Sequence, residues 1–400
     1  MTTVADHALP CDDTDPFSDE ILNDPLPFQA GLREAGPVVY LTRYDVYALA
    51  RYDEVHTALM NWQDFESGAG VGLSNFRIEK PWRPPSLLLE ADPPHHDAPR
   101  RVVTAILRPT ALRSLRDQWA AVAEQVVDEA LRTSTLDAVP ALAEAFPLRV
   151  FPDAVGIGAE GRENLLPYGN FAFNAFGPHN DLVASAAPAM PQWSQWINDQ
   201  CARDTLSPTG FGAAIWEAAD RGEITSEQAP LIVRSLLTAG VDTTVHALAA
   251  ALYAFATHPD QWQQVRAEPQ LIRVAFDEAL RWQSPVQTFF RTATTDTHIG
   301  DVPIPRGQKI LMHLGAANRD PRRWKRPDTF DLGRDPSGHV GFGMGLHQCV
   351  GQHIARLEAE ALLTALAAKV AHIELVGPAE RLLNNTLRAW RSLPIQLHPQ

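Results

Sequence analysis

A short glycine-dense loop around one cysteine constrains this chain more than any other feature. Residues 341–351 read Gly-Phe-Gly-Met-Gly-Leu-His-Gln-Cys-Val-Gly, and an amphipathic helical pattern begins directly behind them. Glycines allow tight turns and a close approach of the backbone to a flat ligand. Free N–H groups at the start of a helix favour the thiolate form of a nearby cysteine. For an isolated Cys-x-Gly, a buried structural cysteine is the alternative.

Five positions of this loop coincide with one known pattern. Phe342, Gly345, His347, Cys349 and Gly351 fit F-x-x-G-x-H-x-C-x-G. This pattern resembles the haem-binding loop of the cytochrome P450 haem-thiolate monooxygenases. The resemblance implies a mainly α-helical fold with small β-sheets (α+β). It also implies that Cys349 ligates the iron of haem b beside Phe342, with O2 as co-substrate. A metal cluster built from His347, Cys349 and His353 is set aside, because no second cysteine stands at Cys-x-x-Cys spacing.

Composition and charge exclude several other classes of protein. The formal net charge of −14 argues against nucleic acid as a partner, because phosphate binding needs a basic surface. Three widely spaced cysteines suit a reducing compartment and not a disulfide framework. Without a visible linker or internal repeat, residues 1–400 are expected to form a single domain. Polar, acidic residues 1–20 are expected to be a loosely ordered lead-in.

The N-terminus lacks the pattern of a signal peptide, and no long uncharged apolar run occurs. The longest apolar stretch, 231–255, is interrupted by Arg234, Asp242 and His246. A bilayer penalises such residues, whereas a helix through a protein core can use them. We therefore expect a cytoplasmic protein with no membrane partner.

The stretch from Thr225 to about Ala256 is predicted to be one long helix, started by a capping box between Thr225 and Gln228. Its middle, 239–244, reads Ala-Gly-Val-Asp-Thr-Thr, which weakens helix propensity and can bend the helix. The resemblance assigns this segment to the oxygen-binding groove. Ala239 and Gly240 then line the haem and leave room for dioxygen, Thr243 hydrogen-bonds the oxygen, and Asp242 helps to deliver protons. A simple polar patch on a long helix is the alternative.

His96 and Arg100 lie four residues apart, so they share one face of a helix and could bind a carboxylate. The resemblance assigns them to a haem propionate, with Arg291 and His347 as further donors. A solvated basic face is the alternative. Glu278 and Arg281 meet across one helical turn. Exposed pairs of this kind are common and contribute little. The resemblance makes this one a buried structural pair behind the haem.

Several stretches resemble a narrower group, the bacterial enzymes that oxidise para-substituted benzoates, including the O-demethylation of 4-methoxybenzoate. They read KPWRPPSLLLEADPP, FNAFGP, LIVRSLLTAGVDTT and SPVQTFFRT. The resemblance implies a carboxylate site and an apolar slot built from Arg83, Ser86, Ser235 and Arg234, and from Leu89, Phe173, Phe176, Val286 and Phe289. On a continuous helix, Ser235 and Asp242 would lie about 10 Å apart on nearly one face, close to the span of a para-substituted benzoate. That Arg83 and Arg234 are surface charges is the alternative.

The chain has no room for a flavin or ferredoxin module, so electrons are expected from NADH through a ferredoxin reductase and a 2Fe–2S ferredoxin. A basic surface near the cysteine would attract such an acidic partner, and a solvated face is the alternative. Its candidate residues are Arg100, Arg101, Arg108, Arg113, Arg322, Arg323, Lys325 and Arg326. A peroxide-driven haem-thiolate peroxygenase is a rival, disfavoured by the Asp242–Thr243 pair. A non-catalytic haem sensor is the other rival, and it would need no substrate pocket.

Overall fold

Helices dominate the chain. The computed structural model describes residues 9–400. Its α-helices are α1 (Asp19–Asn23), α2 (Leu26–Ala35), α3 (Tyr52–Met60), α4 (Asp97–Ile106), α5 (Arg113–Ala130), α6 (Ala145–Val155), α7 (Leu165–Asn174), α8 (Asp181–Ala186), α9 (Met190–Gln200), α10 (Phe211–Asp220), α11 (Gln228–Ala239), α12 (Asp242–Thr257), α13 (Pro259–Ala267), α14 (Ile272–Gln283), α15 (Leu314–Ala317) and α16 (Gln352–Lys369). A π-helical turn, Val139–Glu144, precedes α6, and short 3-10 turns occur at Arg162–Asn164, Pro269–Leu271, Val340–Phe342 and Gly345–His347.

The strands of the described residues are short and divide among four sheets. They are β1 (Cys11–Asp12), β2 (Val39–Leu41), β3 (Val46–Leu49), β4 (Phe65–Glu66), β5 (Leu136–Asp137), β6 (Thr288–Ala293), β7 (Thr297–Ile299), β8 (Val302–Ile304), β9 (Lys309–His313), β10 (Val370–Leu375), β11 (Glu380–Leu382), β12 (Ala389–Ser392) and β13 (Pro394–Pro399). The largest sheet has the order β1-β2-β3-β9-β6-β4, and β10-β13-β5, β11-β12 and β7-β8 form smaller sheets.

The expected loose lead-in at 1–20 is wrong for the part that the structure describes; residues 1–8 lie outside the described range. Strand β1 pairs in parallel with β2, and the amide of Tyr40 donates to the Pro10 carbonyl at 2.8 Å. Ser18 caps α1 by accepting from the Ile21 amide. The polar residues of this segment therefore bond the edge of the sheet and the first helix in place of solvent.

The large sheet delivers side chains to the interior of the molecule. β6 pairs antiparallel with β9, placing Thr288 opposite His313 and Thr292 opposite Lys309. Side chains alternate along a strand, so Phe289 and Arg291 point to the same face. Both line the central cavity.

The predicted long helix is two helices, which corrects the expectation from sequence. The capping box is present: the Thr225 amide donates to Gln228 Oε1 at 2.9 Å, and the Gln228 amide donates to Thr225 Oγ1 at 3.3 Å. However, α11 ends before Gly240 and α12 begins at Asp242. Residues 228–257 are long and apolar enough to span a membrane, yet 72% of the relevant window is buried within the protein. Helices α11 and α12 therefore lie largely in the core of the protein.

Threonine hydroxyls explain how the chain passes from α11 to α12. Thr243 Oγ1 donates to the Ala239 carbonyl at 2.7 Å, and Thr244 Oγ1 donates to the Gly240 carbonyl at 3.2 Å. Side-chain bonds to the carbonyl four residues back compete with the backbone ladder and bend helices. The sequence predicted a low helix propensity at 239–244. The hydroxyl bonds to the backbone accompany the interruption of the helix at this point.

Candidate functional site

The cysteine loop folds back on itself through left-handed glycines. Gly343 and Gly345 have φ angles of 64° and 68°. A Cβ at Gly345 would lie 2.8 Å from the Leu59 carbonyl oxygen, so this position excludes any side chain. The Cys349 amide donates to the Phe342 carbonyl at 2.8 Å and closes the loop. The loop thus holds its own backbone close to Cys349.

The Cys349 sulfur lies in front of α16, whose first residue is Gln352. Burial raises the pKa of the Cys349 thiol, while the amides of Gly351 and Gln352 and the charges of Arg100 and Arg356 oppose that rise. The opposing groups all stabilise a thiolate. A metal ion bound to the sulfur would complete its deprotonation.

A cavity of about 240 Å³ extends from this loop to α11 and α12. Cys349 lies on one side of it, and Thr243 lies on the helix pair across from the loop. The predicted site residues that line it are Arg83, Ser86, Leu89, Arg100, Phe173, Phe176, Arg234, Ser235, Ala239, Gly240, Thr243, Val286, Phe289, Arg291, Phe342, His347 and Cys349. The structure therefore brings nearly all the predicted residues together, and Asp242 and His96 lie just behind the lining.

Basic side chains collect at the end of the cavity near the loop. Arg291 is buried, and its burial lowers the guanidinium pKa to about 10 against the opposing charge of Asp92. Arg100 donates to the Gln348 carbonyl at 2.7 Å. Burial, with His347 and Arg100 nearby, lowers the pKa of His96 to about 4. Within residues 9–400, neither ring nitrogen of His96 has a hydrogen-bond partner. Buried polar groups without partners are rare, which marks a site for an acceptor ligand.

His347 was predicted to donate to a haem propionate, but both of its ring nitrogens already lie within hydrogen-bond distance of protein oxygens. Its Nε2 lies 2.9 Å from Asp92 Oδ1, and its Nδ1 lies 3.2 Å from the Leu88 carbonyl. Burial raises the pKa of Asp92, but the hydrogen bonds from His347, Gly68 and other donors outweigh it, so the net shift is downward. The role of His347 toward a propionate stays a prediction, and in this structure the ring joins the cysteine loop to residue 92.

These features fit haem. A flat ring with two carboxylates needs close approach of the protein backbone, a ligand for its iron and hydrogen-bond donors for the carboxylates. The glycine loop, Cys349 and the group of Arg100, Arg291 and His96 supply those elements around one cavity. Buried cations are normally paired, and a dianionic ring would provide the missing countercharge.

Asp242 lies at the start of α12, buried between helices. Its Oδ1 lies 3.1 Å from His246 Nε2, and its Oδ2 has no hydrogen-bond partner among the described residues. Gly169 of α7 makes room for it: a Cβ at Gly169 would lie 2.9 Å from Asp242 Cβ. Gly240 lines the cavity, and its room for dioxygen stays a prediction. A side chain there would collide with the ring of Phe151.

Two serines meet at the far end of the cavity. Ser86 Oγ and Ser235 Oγ are 3.0 Å apart, although 149 residues separate them in the chain. Arg234 is buried and donates to the Pro84 carbonyl at 2.6 Å. Arg83 donates to Glu90 at 2.9 Å, and the Ser86 amide donates to the same carboxylate at 2.7 Å. Neither arginine is a free surface charge.

The walls between the two ends are aromatic. The rings of Phe173 and Phe176 are 5.7 Å apart and edge-to-face, and those of Phe176 and Phe289 are 5.9 Å apart. Leu89 and Val286 pack against the same cluster. These contacts form a narrow apolar slot.

Sequence and structural relatives agree with this geometry. Cytochrome p450 CYP199A2 from Rhodopseudomonas palustris (strain ATCC BAA-98 / CGA009) is 54% identical over 402 residues, covering 100% of this chain and 98% of that protein. The chain belongs to the cytochrome P450 family. The family model described as Cytochrome P450 matches residues 203–369.

More distant relatives match over nearly the whole chain as well. Beta-dihydromenaquinone-9 omega-hydroxylase from Mycobacterium tuberculosis (strain ATCC 25618 / H37Rv) is 30% identical, covering 97% of this chain and 79% of that protein. The solved structure of cytochrome P450 CYP109Q5 from Chondromyces apiculatus is 28% identical with a TM-score of 0.81, covering 97% and 99% of the two chains. The predicted fold class is confirmed. The protein is a P450 monooxygenase that uses haem b and O2.

Glu278 and Arg281 form a fully buried pair behind the cysteine loop of this P450. Arg281 Nε lies 2.7 Å from Glu278 Oε2, and its Nη1 donates to the carbonyls of Asn318 and Pro327. Arg334 adds a contact of 3.0 Å to Glu278. This network fixes the segment that leads into the loop.

The predicted basic surface is only partly free. Arg100 points inward, Arg322 pairs with Glu34, and Arg326 pairs with Asp331 at 2.7 Å. The other candidates are exposed and comprise Arg101, Arg108, Arg113, Arg323 and Lys325.

Sequence reasoning missed Glu90 and Asp92 as parts of the site. Both lie in the long loop before α4, where hydrophobic periodicity gives no guidance. Glu90 follows Ser86 by four residues, and the Glu90 amide donates to the Ser86 carbonyl at 2.8 Å. A helical turn at 86–90 would have predicted that the two side chains meet.

Proposed function

We propose that this P450 oxidises the para substituent of small aryl carboxylic acids, with 4-methoxybenzoate as the leading substrate. Demethylation then gives 4-hydroxybenzoate and formaldehyde. Electrons come from NADH through a ferredoxin reductase and a 2Fe–2S ferredoxin, in the cytoplasm. The balanced reaction consumes the acid, O2, NADH and one proton, and releases the phenol, formaldehyde, NAD+ and water.

The serine pair is the observation that carries this proposal. Ser86 Oγ accepts from the amides of Leu88 and Leu89 at 3.3 and 3.2 Å, so its proton is free to point at Ser235. Ser235 Oγ in turn donates to the Leu231 carbonyl at 2.9 Å. An entering carboxylate can accept a hydrogen bond from each hydroxyl, because each serine can rotate its O–H away from its present acceptor.

The charges at this end favour a single anion. Arg83 and Arg234 contribute two positive charges, and Glu90 contributes one negative charge, which leaves one net positive charge. Burial lowers the pKa of the Arg234 guanidinium, and the neighbouring Arg83 lowers it further. A monoanion relieves that repulsion, whereas a neutral ligand does not. An anion enters an apolar slot only where it is paired and hydrogen-bonded.

The apolar slot accounts for the aryl part of the substrate. The contacting rings of Phe173, Phe176 and Phe289 line the same cavity as the two serines and Thr243. A benzene ring held there by its carboxylate directs the para position along the slot. A meta substituent would instead meet the phenylalanine walls.

The chain contributes binding, orientation and proton movement to the reaction. When bound, haem supplies the activation of O2 and the oxidation of the substrate. Thr243 carries a hydroxyl on the cavity side of α12, and Asp242 lies beside it with an unbonded carboxylate oxygen. We assign to Asp242 the delivery of protons to Thr243 Oγ1, and to Thr243 their transfer into the cavity.

Optical titration of the ferric holoenzyme tests the substrate class. 4-Methoxybenzoate should shift the haem toward high spin, whereas its methyl ester and its amide should shift it far less at equal concentration. 3-Methoxybenzoate should also give a weak shift. Equal binding of the acid and the methyl ester would overturn the anion site.

Turnover separates the monooxygenase from its rivals. With NADH, reductase and ferredoxin, formaldehyde should form in step with 4-hydroxybenzoate. Product formed only with added hydrogen peroxide would favour a peroxygenase. Binding without any turnover would favour a sensor.

The exposed Arg101, Arg108 and Arg113 support a docking surface for an acidic ferredoxin, because all three lie in or beside α4 and α5 near the cysteine loop. Steering by such charges weakens as salt screens them. Charge reversal at Arg113 should therefore raise the ferredoxin concentration needed for half-maximal turnover and reduce its salt dependence.

A further inference from the structure

His246 is a buried titratable residue of the core that the proposed chemistry does not use. It lies one turn beyond Asp242 on α12, and its Nε2 is 3.1 Å from Asp242 Oδ1. Both side chains are about 5% exposed or less. Neither ring nitrogen of His246 has a well-aligned hydrogen bond within residues 9–400. A polar pair held in an otherwise apolar helix core is costly unless it has a role.

Different elements pack against the two sides of the Asp242–His246 pair. On one side, Gly169 of α7 brings only backbone against Asp242. On the other side, the π-helical turn Val139–Glu144 packs against α12. Glu144 ends that turn and is only partly buried. Burial raises the pKa of Glu144, and the charges of His246 and Asp242 act on it in opposite directions. The three groups are therefore electrostatic neighbours.

We propose that His246 is the proton-relay residue of Asp242 and that Glu144 connects the relay to solvent. The proposal rests on the role of Asp242 and Thr243 in the proposed function. It places titratable groups between the protein surface and the cavity in the order Glu144, His246, Asp242 and Thr243, with a direct contact between His246 and Asp242 and with the Glu144 turn packed against α12.

The proton balance of one transfer is simple. Asp242 gives its carboxyl proton toward Thr243 Oγ1 and is left as a carboxylate. His246 Nε2 then donates its proton to Asp242 Oδ1, while His246 Nδ1 accepts a proton from Glu144. Glu144 regains a proton from solvent. The imidazole ends in its other tautomer, and rotation of the ring restores the starting state.

The Nδ1 of His246, unpartnered among the described residues, distinguishes a relay from a structural ion pair. A histidine that only anchors Asp242 would be expected to have its second nitrogen fixed by a hydrogen bond, as is usual for orienting pairs. His258, the residue directly after α12, shows the anchored case, with Nδ1 lying 3.0 Å from both the Ala254 carbonyl and Thr257 Oγ1. His258 is therefore the matched control.

The test compares His246→Gln, Asp242→Asn, Glu144→Gln and His258→Gln as holoenzymes with 4-methoxybenzoate, NADH, reductase and ferredoxin. His246→Gln should retain the substrate-induced spin shift but lower the rate of NADH consumption about tenfold or more, because general acid–base groups contribute about 10²–10⁴-fold. The solvent deuterium isotope effect on that rate should rise, since proton delivery becomes limiting. Glu144→Gln should change both quantities in the same direction by less, and His258→Gln should change neither.

A measurement independent of turnover accompanies these rates. The free energies of urea unfolding of Asp242→Asn, of His246→Gln and of the double variant Asp242→Asn/His246→Gln give the coupling energy between the two side chains. Non-additive changes are expected for a direct contact, and additive changes would contradict the pairing. If His246→Gln does not fold, His246→Asn serves for the same comparisons.

The outcomes separate two failures. If Asp242→Asn slows turnover and raises the isotope effect but His246→Gln does neither, the relay is wrong and the role of Asp242 stands. If neither variant changes the isotope effect, the proposed role of Asp242 is wrong as well.

Discussion

Replacing Ser235 with alanine tests the carboxylate site with the least disturbance of the fold. Ser235 Oγ contacts Ser86 Oγ at 3.0 Å and donates to the Leu231 carbonyl at 2.9 Å. A hydroxyl bonded to its own helix adds little stability, so the unfolding free energy should change by less than about 0.5 kcal/mol. Ser86 is less suitable, because its hydroxyl also accepts from the amides of Leu88 and Leu89.

The expected loss of affinity follows from the same contacts. A hydrogen bond to a charged group contributes roughly 1.5–3 kcal/mol. Part of that is offset, because Ser235 must first give up its bond to the Leu231 carbonyl. We expect a net loss near the lower bound, about 1.5 kcal/mol, which corresponds to roughly tenfold weaker binding.

The assay is optical titration of the ferric protein with 4-methoxybenzoate and with its methyl ester. Ser235→Ala should weaken binding of the acid roughly tenfold and leave that of the ester nearly unchanged. Thr238→Val is the matched control, because Thr238 lies on the same helix, lines the cavity and donates to the Arg234 carbonyl at 2.8 Å. An equal loss for acid and ester in Ser235→Ala would refute the reasoning, since it would show a change of shape and not of charge recognition.

Three further predictions concern stability, pH and coupling. Glu278→Gln leaves the fully buried Arg281 without its charge partner and should lower the unfolding free energy by about 3–5 kcal/mol, measured by urea denaturation; a loss below about 1 kcal/mol would contradict a structural role. Burial lowers the pKa of His313 from its ordinary 6.5 to about 4, so between those values the unfolded chain binds more protons and stability falls as the pH falls. His313→Gln should reduce that slope by up to about 1.4 kcal/mol per pH unit in melting experiments, and an unchanged slope would contradict a buried neutral ring. Thr243→Ala should bind the acid normally but form severalfold less product per NADH, with the balance appearing as hydrogen peroxide; Thr243→Ser should restore product, and full coupling in the alanine variant would exclude a role for the hydroxyl.

Local patterns in the sequence predicted the local parts of this structure. The cysteine loop depends on glycines with positive φ angles, and the capping box depends on two residues three positions apart. Both features can therefore be predicted from residues that are close together in the sequence. Most of the predicted site residues line one cavity. They could be predicted because the family resemblance supplied information about long-range contacts, which hydrophobic periodicity does not contain.

The errors arose where distant contacts decide the local structure. Residues 9–20 are polar, yet the edge of the sheet orders them through β2. The partnership of Arg83 with Glu90 depends on the path of a long loop, and nothing in the composition distinguishes Glu90 from a surface acid. Helix propensity marked 239–244 as weak, but the break requires the hydroxyls of Thr243 and Thr244 to bond the backbone behind them.

The break between α11 and α12 changes how substrate length is controlled. Ser235 belongs to α11 and Thr243 to α12, so the carboxylate end and the oxygen end of the cavity are carried by two bodies that meet at Gly240. On one rigid helix that separation would be fixed by the number of residues. At a joint it varies with the angle between the helices, and the ring of Phe151 lies against Gly240 at this joint. For the proposed substrates, we therefore expect a change in the size of residue 151 to alter the distance between the two ends of the site and, with it, the preferred length of the para substituent.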